Sequence, residues 1–425
     1  MTPGLSLAHL ERPTASLMSA GLALVACTAF GTATPARAAL DLEGPWLLYV
    51  TATGDSLGTY QGFSACAQAM ATRPKGTLGC KPDPAPPLPV VVSPPIADVP
   101  PPIIEQPPVV TPPVMNGGIT IDASNLPLGI AGYAFDRVQP TTEVAPVSDI
   151  GAFRTSCAYS HMGFDDPIVY PGQPGASHLH TFFGNSLTSA ATTAESLRST
   201  GNSTCRGGTV NRSAYWVPTM IDTTTGRPVV PDNAQIYYKR GYQVSTSTPI
   251  KAMPTGLRMI AGNPTNTTPV AVGYRFRCQG GPNNSNDQYG TSIPSCDAGA
   301  QMVQEIFFPQ CWDGRNLDAP DHKSHMSYPV QLSQSPFTWS CPASHPVVLP
   351  QVAFNVAYTV PSPGAAKAWR LASDMYDRSL PAGYSSHGDW FNGWNVEVSD
   401  AWARACVDAR RDCHSHLIGD GREMY

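Results

Sequence analysis

The sequence predicts a mostly β protein: an irregular antiparallel β-sandwich-like domain over residues 117–425, with long disulfide-stapled loops and few short helices, preceded by a small α+β module at 44–80. Three observations predict it. Charged residues are only 13% of the 425, about half the usual share, while Gly (37) and Pro (44) are abundant. Exposed helix faces are built mainly from Lys, Glu and Arg, so this composition favours strands and loops. Beyond Val114, short apolar or aromatic runs are broken by Gly, Pro and Asn at close intervals, as in β-sandwiches. Of eleven cysteines, Cys27 lies in the N-terminal leader; the other ten leave an even number in each part, Cys66 and Cys80 before residue 81 and eight after 150, as independent disulfide sets require.

Residues 1–38 read as a signal peptide. Arg12 supplies the positive charge, residues 17–30 the apolar stretch, and Ala36-Arg37-Ala38 the small-residue cleavage motif. Leu24-Val25-Ala26-Cys27 offers a second reading, lipid attachment at Cys27 and a membrane tether. Either route places the chain outside the cytoplasm, which is where disulfides persist. No later stretch offers about 18 consecutive apolar residues, so no transmembrane segment is expected. A net charge of -5 provides no basic field, which argues against nucleic acid as a partner.

In the 44–80 module, Trp46-Leu47-Leu48-Tyr49-Val50 is strand-like, and helix formers surround Cys66. So short a module buries little, and a Cys66–Cys80 bridge would help to hold it. Residues 81–116 form a proline-rich linker, with 14 prolines between 82 and 113. Such a run favours a stiff polyproline II helix rising about 3.1 Å per residue, on the order of 100 Å when extended.

In the large domain, strand-like runs include Ala214-Tyr215-Trp216-Val217, Gln235-Ile236-Tyr237-Tyr238, Ile306-Phe307-Phe308 and residues 347–358. Helical periodicity is convincing at 365–377 and weaker at 396–409. Cys157, Cys205, Cys278, Cys296, Cys311, Cys341, Cys406 and Cys413 contain no CxxC pair, which argues against a zinc knuckle. Pairing of neighbours is expected, Cys406–Cys413 first because its loop is short, although eight cysteines allow 105 connectivities.

Nine of the ten histidines fall in this domain. In Ser177-His178-Leu179-His180, strand alternation points His178 and His180 the same way. Upstream lie His161 and the Asp165-Asp166 pair, stopped by Pro167; downstream come His322 and His325, then His387-Gly388-Asp389. One reading is a site for one divalent metal ion, with His178 and His180 completed by His325, His387 or Asp389. A second needs no metal: one imidazole is the base, and an aspartate or second imidazole the acid. His178, His180, Asp166, His387 and Asp389 are the candidate catalytic residues, and His178, His180 and His325 the candidate metal ligands. The competing reading is that these histidines tie loops to main-chain carbonyls. Arg154, Arg258 and Arg275 are candidates to clamp an acidic group, and Tyr170, Tyr215, Trp216, Tyr237 and Trp390 to stack on sugar faces. Trp312, beside Cys311, is expected to pack in the core.

Nine ordered motifs carry a family resemblance. They are Phe153-Arg154-x-x-Cys157, Ser160-His161, Asp165-Asp166-Pro167-Ile168-Val169, Ser177-His178-Leu179-His180-x-Phe182-Phe183-Gly184-Asn185, Ser213-Ala214-Tyr215-Trp216-x-Pro218, Pro254-x-Gly256-Leu257-Arg258-Met259, Phe308-Pro309-Gln310-Cys311-Trp312-Asp313-Gly314, His325-Met326 and His387-x-Asp389. Over about residues 140–410 the chain resembles the secreted microbial domain-of-unknown-function family numbered nineteen-ninety-six. The resemblance implies an extracellular setting and the company of sugar- or wall-binding modules. It supplies no reaction.

The function expected is binding or cleavage of an extracellular polysaccharide or cell-wall polymer through one His/Asp-rich cleft, by hydrolysis or elimination if the domain is an enzyme. The alternatives are a non-catalytic wall or matrix module and a metal-dependent oxidative or phosphoester-cleaving enzyme.

Overall fold

The protein is described by a computed structural model. It covers the strands Pro45–Val50, Ser56–Gln61 and Leu78–Pro82, and residues 119–425 apart from 281–288 and 335–336. The chain divides into two compact units, Met1–Ile104 and Glu105–Tyr425. In the first, strands β1 (Pro45–Val50), β2 (Ser56–Gln61) and β3 (Leu78–Pro82) form an antiparallel sheet in the order β2-β1-β3. The Trp46–Val50 run is thus its central strand. The signal peptide, the helix around Cys66, the Cys66–Cys80 bridge and the proline-rich linker lie outside the described residues.

The second unit is built on two five-stranded antiparallel sheets. The first contains β4 (Ala152–Cys157), β8 (Asn233–Lys239), β10 (Tyr274–Gln279), β11 (Gln301–Phe307) and β12 (Gln351–Thr359), in the order β10-β11-β12-β8-β4. The second contains β5 (Tyr159–Gly163), β6 (His180–Gly184), β7 (Ala214–Pro218), β9 (Arg258–Gly262) and β13 (His387–Phe391), in the order β9-β13-β7-β6-β5. Strand β8 alternates as the pattern requires, with Ala234, Ile236 and Tyr238 buried between less buried neighbours.

The sheets face each other as a sandwich. Tyr215 of β7 meets Phe354 of β12 with ring centroids 5.6 Å apart, and its hydroxyl is 2.8 Å from that of Tyr238 on β8. Gly388 of β13 belongs to this interface: a Cβ there would stand 3.1–3.4 Å from Ile306 and Phe354. The second sheet is also covered on its other face, where Phe182, Trp216, Ile260 and Phe391 pack with Ile168 and with Leu197 of α1 (Ala194–Ser199). Burial on both sides explains why β6, β7 and β13 are buried at every position rather than alternating. It also leaves that outer face as a second, smaller apolar layer with polar groups at its margin.

Cys157–Cys205, Cys278–Cys296, Cys311–Cys341 and Cys406–Cys413 are bridged, each cysteine to its neighbour in sequence as expected. The weaker helical signal is real: α2 (Val396–Trp402) continues into one wide turn, Ala403–Asp408. The stronger one is corrected. Only Ala365–Ala368 coils, as a 3₁₀ turn, and Trp369–Leu371 then pairs as a strand with Met220–Asp222. Trp369, Arg370, Leu371 and Ala372 are buried in succession, and a single buried stripe could not accommodate all four. Among the described residues, no helix is long and apolar enough to cross a membrane.

Candidate functional site

Two segments build the site. His178 and His180 bracket Leu179, which is fully buried in the main core, so the two imidazoles turn to the opposite side. His180 opens β6, and the rings of His178 and His180 are 4.3 Å apart. His387 opens β13, and Asp389 stands two residues on, across the sheet from Gly388. Asp166 joins from the loop before β6, its Oδ1 accepting the amides of Ile168 and Val169 at 2.8 and 2.9 Å.

These five side chains converge. One nitrogen each from His178, His180 and His387 lie within 4.8 Å of one another, as do one ligand atom each from Asp166, His180 and Asp389. His178 Nε2 is 3.1 Å from His387 Nε2. Nδ1 of His180 donates to the Asp165 carbonyl at 2.9 Å, and Nδ1 of His387 donates to the Ser385 carbonyl at 2.8 Å. A neutral imidazole protonated at Nδ1 keeps its lone pair on Nε2. Nε2 of His180 and Oδ2 of Asp389 are buried and have no partner among the described residues.

Burial sets the charge states. His178 titrates well below the ordinary histidine value because its charged form is desolvated, with His180 and His387 adding repulsion. His387 is pushed down to about 3, by burial first and then by His180. His180 is lowered by burial, partly opposed by Asp166 and by its bond to Asp165. Asp389 is raised well above the usual carboxylate range, again by burial first, then by Asp166, and against the pull of Lys323. All three imidazoles are therefore neutral at pH 7, the form that ligates metal.

A cleft of about 350 Å³ opens onto the cluster, lined among others by Asp166, Tyr170, His178, Asn263, Thr265, His322, Lys323, His387 and Asp389. The other expected residues fall elsewhere. His325 is not the third imidazole: its Nε2 donates to the Arg258 carbonyl at 2.7 Å, and His387 takes that place. Arg154, Arg258 and Arg275 are tied to Asp412, Asp318 and Glu305. Tyr215, Trp216 and Trp390 are fully buried and cannot stack on a sugar; Tyr170, 38% exposed, lines the cleft. Trp312 is only partly buried, packing against the core while its Nε1 donates to the Asn316 carbonyl. Lys323, whose Nζ donates to the Gly262 carbonyl at 2.8 Å, and Asn263 carry no spacing signal that singles them out.

His161 follows the loop-tying reading instead. It stacks on Phe182 and its Nε2 donates to the Thr188 carbonyl, while burial lowers its titration point. The unfolded chain therefore binds this proton below about pH 6.5 before the folded protein does, so His161 makes stability fall as pH drops through that point toward its folded value. Urea melts at pH 7 and at lower pH should show a smaller acid loss for His161→Gln than for the parent. An NMR titration finding the folded His161 ring half-charged at its ordinary value of about 6.5 would contradict this.

The class defined by fold and site is a disulfide-linked β-sandwich domain with a buried His/Asp cluster where two inner strands of one sheet begin. Residues 166–394 match the family described as a domain of unknown function (DUF1996). The match spans more than half of the chain, and the chain belongs to that family; Phe153-Arg154-x-x-Cys157 and Ser160-His161 lie upstream of the matched stretch. No curated protein and no solved structure matches the chain.

Proposed function

We propose that the cluster holds one divalent transition metal and that the domain, outside the cell, uses it to cleave polysaccharide. One observation carries the metal reading: the imidazoles of His180 and His387 are anchored through Nδ1 to main-chain carbonyls while their Nε2 atoms converge with His178. Carbonyl anchoring of this kind orients histidine ligands in metal sites. Two ligands held at about 2.0–2.1 Å in tetrahedral geometry stand about 3.3 Å apart, close to the 3.1 Å between His178 and His387. Imidazole with carboxylate suits zinc, copper, manganese or iron.

When bound, such a cation supplies Lewis acidity. The chain supplies the rest. Asp166 and Asp389 line the cleft side by side, placed to exchange protons with a bound sugar. Carboxyl oxygens within 4.8 Å of each other match the closer spacing of a two-step hydrolysis: one carboxylate bonds the anomeric carbon as the glycosidic C–O bond breaks and the other carboxyl gives its proton to the leaving oxygen. That second group then takes a proton from the water whose oxygen replaces the first carboxylate on the anomeric carbon. The polysaccharide reading draws on the export signal, the long proline-rich spacer and the open cleft.

Purified full-length protein should carry about one divalent ion per chain by elemental mass spectrometry, and the His178→Ala/His180→Ala variant almost none. On a glycan panel, new reducing ends should appear with the parent and vanish with the variant. A variant that folds, holds no metal and cleaves as the parent does defeats the reading. Glycan bound without any new reducing ends would leave a binding module.

A further inference from the structure

The cleft does not end at the His/Asp cluster. A hollow of about 290 Å³ shares Ile260, Asn263 and Lys323 with it, and an open groove of about 540 Å³ shares Val272 and Tyr328 with that hollow. The three adjoin through these shared walls, in a row from the cluster past Lys323 to Lys239 on β8 and Arg275 on β10. A trough suits a linear polymer better than a small molecule, which one pocket would enclose.

Its far end is cationic. Among the described residues, Lys239 Nζ meets no carboxylate or carbonyl within hydrogen-bonding reach; it stands 5.6–6.0 Å from the ring centres of Tyr237, Tyr242 and Phe307. The Arg275 guanidinium lies 3.5 Å from the ring centre of Tyr289 and bonds Glu305, which Arg277 also bonds. Glu305 is thus shared by two guanidinium groups, and no acidic side chain is among the described residues lining the groove. Tyr242 and Tyr289, 78% and 55% exposed, offer apolar faces beside them. An ammonium in a groove without an acceptor takes one from a ligand, and aromatic faces beside it suit sugar rings.

We propose that this trough seats an anionic polysaccharide, with a carboxylate or sulfate of one sugar held between Lys239 and Arg275 while the chain continues to the His/Asp cluster. The inference rests on the polysaccharide reading for the chemistry of the ligand, and it concerns binding rather than cleavage.

Binding to the full-length protein would be measured by calorimetry with polygalacturonate, chondroitin sulfate, a neutral β-glucan and poly-dT. Both acidic polysaccharides should bind at least about 10-fold tighter than the neutral glucan, with affinity falling as salt rises. The carboxylated and sulfated arms show which acid is preferred. Lys239→Met should weaken acidic polymers about 10-fold and leave the neutral glucan unchanged; Lys239→Arg should restore binding, and circular dichroism checks both folds. Arg275→Gln, which leaves Glu305 paired with Arg277, should weaken the same ligands.

Equal affinity for neutral and acidic polymers, or loss of neither in Lys239→Met and Arg275→Gln, overturns the proposal without touching the metal site. Poly-dT binding as tightly as the acidic sugars overturns it as well. Acidic polymer bound through Lys239 but never cut upholds it while removing cleavage.

Discussion

Asp389→Asn is expected to lower polysaccharide cleavage by about 10²–10⁴-fold, the range for losing a positioned proton-transfer group, while the metal content stays at one per chain. Asp389 lines the cleft beside Asp166, is 1% exposed, and keeps one carboxyl oxygen without a protein partner. Asparagine preserves the shape of the side chain and removes its ability to carry a proton. The substitution also acts on stability, in the opposite sense. A carboxyl whose folded titration point is raised costs stability as pH rises from its unfolded value of about 3.8 toward the folded one. Asparagine is free of that cost, so metal-stripped Asp389→Asn should melt above the parent at pH 7. Steady-state kinetics with parent-like cleavage would end the proton-transfer role, and a lower melting temperature would contradict the electrostatic account.

The second large effect is structural. Trp402→Ala should cost about 3–5 kcal/mol in guanidinium unfolding at unchanged slope, the range for removing a fully buried large aromatic side chain. Trp402, at the end of α2, stacks on Phe153 at 4.9 Å with an interplanar angle of 4°, and meets Tyr238 and Trp394 at 4.7 and 5.8 Å. Tyr238 is in turn fixed by the Trp394 Nε1–H at 2.9 Å and by the Tyr215 hydroxyl. One ring thus holds α2 to β4 and β8 and, through Tyr215, to the sheet that carries the site. A loss below about 1 kcal/mol, the scale of an ordinary substitution, would show that the layer closes around the gap.

Much of this architecture was legible in the sequence because its determinants are local. Alternation placed His178 with His180 and His387 with Asp389, since two residues make one period of a strand wherever extended chain is kept. Neighbour pairing of the cysteines followed from short loops. What escaped was decided between distant segments. Which third imidazole meets the pair depends on β13 lying beside β7, and nothing near His325 or His387 encodes that neighbourhood. The helix expected at 365–377 lost to burial of Trp369 and Leu371 against Met220–Asp222, a partner about 150 residues away. The sequence alone leaves Tyr215, Trp216 and Trp390 open to sugars, since it does not tell that their sheet is covered on both faces, which hides aromatics that a single-faced sheet would expose. Arg275 is a candidate anion clamp in the sequence, whereas Lys239 declares itself only once the sheet sets it beside Arg275 on one outer surface.

The main-chain anchors of His180 and His387 have a consequence for assembly. Donor atoms held by carbonyls are already aimed before any ion arrives, so capture draws little on ordering the chain, unlike small zinc modules whose coordination is their folding. The cage is built by the sandwich and not by its guest. Under the proposed metal reading, chelation would leave the walls standing, and the stripped protein should refill its site on no more than added ion.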